Sequence, residues 1–174
     1  MPQSPGPPNL ARTLQRSTLA LLVFWLVVAG ALWAGFKWHE ERERARLQPY
    51  VEANGSLVIP RSPDGHFYVA GEVDHVPVRF LVDTGATNVA ISEQTARTAQ
   101  LSGGEPVILS TAGGERRGRQ LRNVPVKVGP LARNDATVTV GLISPAPESA
   151  LLGQSFLRNF DVRIAGNRMT LSTR

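Results

Sequence analysis

The sequence predicts a mostly β domain carried behind a single long apolar helix, and three observations point there. Seven short strand-like stretches between His66 and Ser172 are punctuated by Gly, Pro and Asn. Within that region only Ser92–Gln100 reads as a good short helix, with Ser92 as N-cap and Glu93 in the first turn. Ser17–Phe36 carries no charge, and its 20 residues, rising about 1.5 Å each, span about 30 Å, the thickness of a bilayer core.

Taken in order, Met1–Arg16 is polar and Pro-rich and is expected to be a disordered tail. Ser17–Phe36 is expected to cross a membrane. Trp33, Phe36 and Trp38 gather at its C-terminal end, where aromatic side chains favour the interface. Ala29-Gly30-Ala31 offers the small residues a signal peptidase needs, but the apolar run continues through Leu32, Trp33 and Phe36, which favours an uncleaved anchor. Lys37–Gln48 alternates charge sign, as a solvated continuation of the helix does, until Pro49 interrupts it. Residues 37–54 therefore read as a charged stalk. Asn54-Gly55 and Pro60-Arg61-Ser62-Pro63-Asp64-Gly65 mark turns, so the folded domain is expected to run from Gly55 to Arg174. That length supports one core and is short for two lobes. The expected strands are His66–Val73, Val76–Val82, Asn88–Ile91, Val107–Thr111, Val124–Val128, Ala136–Gly141 and Met169–Ser172, with no internal repeat.

Composition removes several functions. The chain of 174 residues has a net charge of +5, and Arg116, Arg117, Arg119 and Arg122 form a dense basic group. Aromatic residues are not interleaved with it, as a single-strand stacking platform requires, so a solvated hairpin face is expected and no nucleic acid. Cysteine is absent, which excludes disulfides, thiol nucleophiles and zinc–thiolate sites. His39, His66 and His75 are not at metal-ligand spacing, and neither a Gly-x-Ser-x-Gly elbow nor a phosphate loop occurs. Neither metal nor cofactor is expected.

The run Phe80-Leu81-Val82-Asp83-Thr84-Gly85-Ala86-Thr87 occurs once and sets one carboxylate in a Gly-containing turn directly after an apolar strand. Strand residues hold the backbone up to Val82, and Gly85, without a Cβ, permits a tight turn and close approach by another chain. A bare Asp-Thr-Gly also suits an ordinary β-turn, so its context matters. Ala150-Leu151-Leu152-Gly153-Gln154-Ser155-Phe156-Leu157 lies about seventy residues downstream, and Arg158–Val162 with Gly166–Leu171 reads as a closing hairpin. Between them, Leu109-Ser110-Thr111-Ala112-Gly113-Gly114-Glu115 supplies a strand end and a Gly-Gly turn.

These three elements, in this order, resemble the retropepsin-like aspartic proteases, the single-lobe enzymes with an Asp-Thr-Gly-Ala loop. The resemblance covers roughly Gly65–Leu171 and implies a closed β-barrel with one or two short helices. In the resembling pattern Asp83 is catalytic, Thr84, Gly85, Ala86 and Thr87 form the active-site loop, Gly113 and Gly114 tip a flap, and Leu151, Leu152 and Gly153 end the strand beside the loop. For Gly113 and Gly114 a hairpin tip without functional movement stands equally open. Peptide hydrolysis by this chemistry needs two carboxylates sharing a proton, because close like charges resist simultaneous ionisation. One chain supplies one such Asp. An active enzyme is therefore expected to be a homodimer acting on protein or peptide substrates, and the alternative is a catalytically silent binding or dimerisation module.

Orientation in the membrane is contested within the sequence. Arg12 and Arg16 precede the span while Lys37, Arg42, Arg44 and Arg46 follow it, and a Lys/Arg count places the C-terminal side in the cytoplasm. The chain's layout also looks like a membrane-anchored bacterial family whose domain lies outside the cytoplasmic membrane. That likeness favours a single-pass inner-membrane protein with a periplasmic domain.

Overall fold

The computed structural model describes residues 10–111, 114–141, 146 and 148–174. They divide into an N-terminal helical unit up to Ala45 and a compact unit, Arg46–Arg174.

Helix α1 spans Leu10–Arg46, and within it Leu21–His39 is apolar enough to cross a membrane. The helix begins seven residues before the uncharged run, so Leu10–Arg16, expected as disordered tail, is helical. Leu, Ala, Arg and Gln dominate that segment, and all four are good helix formers that cost little to add to an existing helix. At the other end it continues into the segment read as a charged stalk and stops at Arg46, three residues before Pro49. Leu26, Leu32, Trp33 and Phe36 are exposed, while Lys37 lies over the Trp33 ring at 5.1 Å and Arg42 over Trp38 at 3.7 Å. Such an apolar surface needs lipid or a partner to cover it.

The compact unit is mostly β. Strands β1 (Tyr50–Val51) and β2 (Leu57–Pro60) precede β3 (Tyr68–Val73) and β4 (Val76–Val82), and β5 (Val89–Ile91) leads into helix α2 (Glu93–Thr98). Strands β6 (Glu105–Thr111), β7 (Gly114–Val128), β8 (Leu131–Val140) and β9 (Ser149–Leu152) follow, then the one-turn helix α3 (Gln154–Leu157), β10 (Phe160–Ala165) and β11 (Arg168–Thr173). In one sheet the order is β3-β4-β9-β5-β8-β7-β6, and β3 also pairs with β7. Six strands thereby close a barrel. Strand β6 stands outside the ring, hydrogen-bonded to β7. A second sheet has the order β1-β2-β11-β10.

Strand β7 is far longer than the expected Val124–Val128. Its first half, rich in Arg and Gly, has no apolar alternation to announce a strand, and it is held as one by pairing with β6 from Thr111↔Gly114 to Glu105↔Gln120. A bulge at Asn123, whose φ is +56°, separates that half from the barrel half. Strand β1 extends the domain upstream of Gly55, and β2 just after it is a further strand beyond the expected seven. Leu57, Val58 and Ile59 are buried there although the run is only three apolar residues long. The core gathers Ile59, Phe80, Ile91, Leu152, Phe156, Leu157, Met169 and Leu171, all nearly inaccessible. Each such side chain contributes about 1.5–3 kcal/mol on burial. Ser92 caps α2 as expected, its hydroxyl accepting from the Thr95 N–H at 3.0 Å.

Candidate active site

Asp83 stands one residue past the end of β4. The apolar alternation of β4 puts Val78, Phe80 and Val82 into the core, which fixes the strand's depth and turns Asp83 to the other face, half-buried. Parallel pairing with β9 sets Leu81 opposite Leu151 and Val82 opposite Leu152, and the Asp83 N–H donates to the Leu152 carbonyl at 3.1 Å. On the other side the Val82 N–H donates to the Phe67 carbonyl at 2.9 Å. Two neighbours thus hold the backbone at the carboxylate.

The loop is closed from within and from α3. The Gly85 N–H donates to Asp83 Oδ1 at 2.9 Å, and the Ala86 N–H to the Asp83 carbonyl at 3.2 Å. A Cβ on Gly85 would come within 3.3 Å of that same Oδ1, so a side chain here would crowd the carboxylate. From α3, the Gln154 N–H donates to the Ala86 carbonyl at 2.8 Å, the Ser155 N–H to the Thr87 carbonyl at 2.9 Å, and Gln154 Nε2 to the Thr84 carbonyl at 3.0 Å. Gly153 makes this docking possible. A Cβ there would lie 2.2 Å from the Asn88 carbonyl oxygen and 2.7 Å from that of Ala86.

The expected residues therefore come together in two groups. Asp83, Thr84, Gly85, Ala86 and Thr87 form one loop, and Leu151, Leu152 and Gly153 form the strand end beneath it. Gly114 begins β7 with φ +100°, while Gly113 lies outside the described residues. Gln154 and Ser155 were not singled out as site residues. Ser155 Oγ accepts from the Val89 N–H at 3.0 Å and donates to the Thr137 carbonyl at 2.7 Å, tying α3 to β5 and β8. Their only sequence signal is position, immediately after Gly153.

The basic group is not uniformly solvated. Arg119 is 23% exposed in its side chain and reaches the Gly103 carbonyl at 2.8 Å, the Leu101 carbonyl at 3.0 Å and Glu93 Oε1 at 3.4 Å. It clamps the root of the β6–β7 hairpin to the loop that follows α2 and to Glu93 in the first turn of α2. Arg116 and Arg117 are exposed, and Arg122 lies 3.8 Å from Glu105 on the surface. Among the described residues no group of three or more His, Asp or Glu side chains is placed to hold a metal ion.

A closed barrel whose inner strand ends in Asp-Thr-Gly, braced by a parallel strand, a Gly and a one-turn helix, defines the single-lobe aspartic proteases as the class. The profile described as "gag-polyprotein putative aspartyl protease" matches residues 69–159, just over half of the chain, and the chain belongs to this family. Its fold is retropepsin-like. The crystal structure of a retropepsin-like aspartic protease from Rickettsia conorii superposes with a TM-score of 0.57 at 30% identity, covering 67% of this chain and 89% of that one. An uncharacterized protein in the cobV 5′ region of a Sinorhizobium species is 27% identical over 160 residues, 83% of this chain and 68% of its own length. The uncharacterized protein RP867 of Rickettsia prowazekii (strain Madrid E) is 36% identical over 70 residues, which is 40% of this chain and 25% of that protein.

Proposed function

We propose that the protein is a membrane-anchored aspartic endopeptidase, with Asp83 as its catalytic residue and a homodimer as its active form. The observation that carries this reading is one carboxylate held by the Gly85 N–H within a loop whose backbone Leu152 and Gln154 brace from outside. An ordinary turn Asp needs no such support. With two copies meeting at Asp83, one carboxylate takes a proton from water while the protonated partner gives its proton to the carbonyl oxygen of the scissile peptide. Water attacks the carbonyl carbon, and collapse of the tetrahedral adduct expels the amine with return of a proton. Thr84 and Gly85 present loop groups beside the pair, and Gly114 stands at the hairpin that covers the substrate.

Residues 17–36 serve as a single-pass anchor, residues 37–54 as a stalk, and the domain works on protein or peptide substrates on the periplasmic side of the inner membrane. Confinement to a plane raises the effective concentration of a weakly pairing domain. The test is Asp83→Asn in the full-length chain. Peptide cleavage is expected to vanish with the fold intact, and co-expression of excess variant with wild type is expected to poison activity, because mixed dimers lack one carboxylate. Wild-type turnover in the folded variant sinks the reading and favours the binding-module alternative. A reporter fused after Arg174 that works only when exported tests the orientation, and activity only from a cytoplasmic reporter reverses it.

A further inference from the structure

We infer that Arg116 is a specificity residue, selecting peptides that carry an Asp or Glu side chain within about six residues of the bond to be cut; this deepens the protease reading above and rests on it. Four observations carry the inference.

The first is the face on which Arg116 lies. Paired residues in a sheet share a side, and residues two apart along a strand return to it. Leu81 pairs with Leu151, Leu151 with Ala90, Ala90 with Thr139, and Thr139 with Gln120. This row runs across the outer face of the barrel, since the alternate residues Phe80, Val82, Leu152, Val89 and Val138 are buried inside it. Asp83 follows Leu81 on the outer side. Arg116 follows Gln120 and Gly118 on it too, because the β6–β7 register runs unbroken from Gln120 to Gly114. Arg117 and Arg119 fall on the opposite face, where Arg119 grips the Leu101 and Gly103 carbonyls.

The second is support. Arg116 pairs with Leu109, whose Cδ1 fills the space that a Cβ on Gly118 or Gly141 would enter, at 2.8 Å and 3.2 Å. Two missing side chains let Leu109 pack there, so the Leu109–Arg116 pair stands beside the root of the hairpin.

The third is charge left over. Arg119 is engaged, and Arg122 lies 3.8 Å from Glu105. The other arginine on the outer face near Asp83, Arg79, stacks over the Tyr68 ring at 4.5 Å. Arg116 is exposed, and among the described residues no carboxylate is within ion-pair distance of it. Its neighbour Glu115 points to the other face. A guanidinium offers a planar fork of donors that matches a carboxylate, whereas an amide gives it one neutral acceptor.

The fourth is reach. In the order β4-β9-β5-β8-β7, four strand spacings separate the Asp83 strand from the Arg116 strand, about 19 Å in a flattened sheet. An extended peptide covers that in about six residues, and the curvature of the barrel shortens the path.

The test uses the full-length chain and fluorescent decapeptides of one neutral parent sequence, each carrying a single Glu, or its isostere Gln, at one position. For the Glu peptide cut best by the wild type, the Gln twin is expected to fall about fivefold in kcat/KM, mostly through KM, and added salt should narrow the gap. Arg116→Ala should erase the difference by slowing only the Glu peptide. Arg116→Glu should favour a Lys peptide instead, and Arg117→Ala should keep the wild-type preference. Equal cutting of the twins by the wild type, a preference that survives Arg116→Ala, or an equal loss with Arg117→Ala, the mark of a diffuse positive field, overturns the inference. If the wild type cuts none of the peptides, their binding is read by fluorescence anisotropy. A Glu preference that Arg116→Ala abolishes then upholds the subsite and sinks the protease reading, while no such preference overturns both.

Discussion

The loop at Asp83 and the hairpin of β6 and β7 are the two sides of one cleft in the proposed reading, and they are built on opposite principles. The loop is tied by backbone groups of the Phe67 segment, β9 and α3, and both of its key glycines are determined by close approach of other atoms. Among the described residues the outer hairpin is held by the pairing of β6 with β7. Ile108 is 70% exposed, Glu115, Arg116 and Arg117 lie in solvent, and Thr111↔Gly114 is the last described pair. Between these halves sits a root where a Cβ on Gly118 would come within 2.6 Å of the Val140 carbonyl oxygen, and where Arg119 grips the loop that follows α2. The difference teaches where rigidity is needed. On the proposed reading, a carboxylate that has to meet its twin within about 0.5 Å requires a fixed backbone, whereas a surface that accepts different peptides gains from one that yields.

The largest effect that would break this contrast is expected at Gly153. Its φ of −99° is open to any residue, so Gly153→Ala costs nothing in backbone strain, but its methyl group meets the Asn88 and Ala86 carbonyls, which are backbone and cannot rotate away. We expect a loss of about 3 kcal/mol or more in thermal or urea unfolding, with loss of activity. Near-wild-type stability would mean the loop is looser than its contacts imply.

A smaller effect is expected at the root. Arg119→Ala removes two hydrogen bonds to carbonyls and a partly exposed ion pair, about 1–2 kcal/mol in all. Amide exchange in β6 should quicken and KM rise more than kcat falls, whereas Arg117→Ala should leave both alone. Equal effects of the two variants would show that the hairpin has no special root.

The smallest is a pH effect in the Asp64–Tyr68 turn, next to the segment that supports Val82. The Asp64 carboxylate accepts from the His66 N–H at 3.0 Å and the Tyr68 hydroxyl at 2.8 Å, which hold its pKa below the ordinary 3.8, and the same bond raises that of Tyr68. A lowered carboxylate contributes stability above its unfolded value and loses it as pH falls through the lowered one. The wild type should therefore lose slightly more stability on acidification below about pH 4 than Asp64→Asn does. Parallel acid curves for the two proteins would remove this turn from the acid response.

Much of the fold was legible because local rules and tertiary structure agree. Strand β4 matches Val76–Val82 at both ends, and Ser92 caps α2, since apolar alternation and an N-cap are written within a few residues. The order of loop, hairpin and Leu-Leu-Gly also needed only the sequence. The first half of β7, the short β1 and β2, and the clamp made by Arg119 were not legible. Their signals are charged or too short, and partners elsewhere in the chain, as far as Arg168 from Pro60, make them what they are.

By itself the sequence determined that a carboxylate follows an apolar strand in a Gly turn, that a long uncharged run precedes the domain, and that one chain carries one Asp-Thr-Gly. Only the tertiary structure decided that Gly153 must lack a side chain, that Gln154 and Ser155 brace the loop, and that Arg116 shares the carboxylate's face of the barrel while Arg119 lies on the other. The physical reason is that composition and period act over neighbours in the chain, whereas close approach and exposure depend on which distant strands are brought alongside.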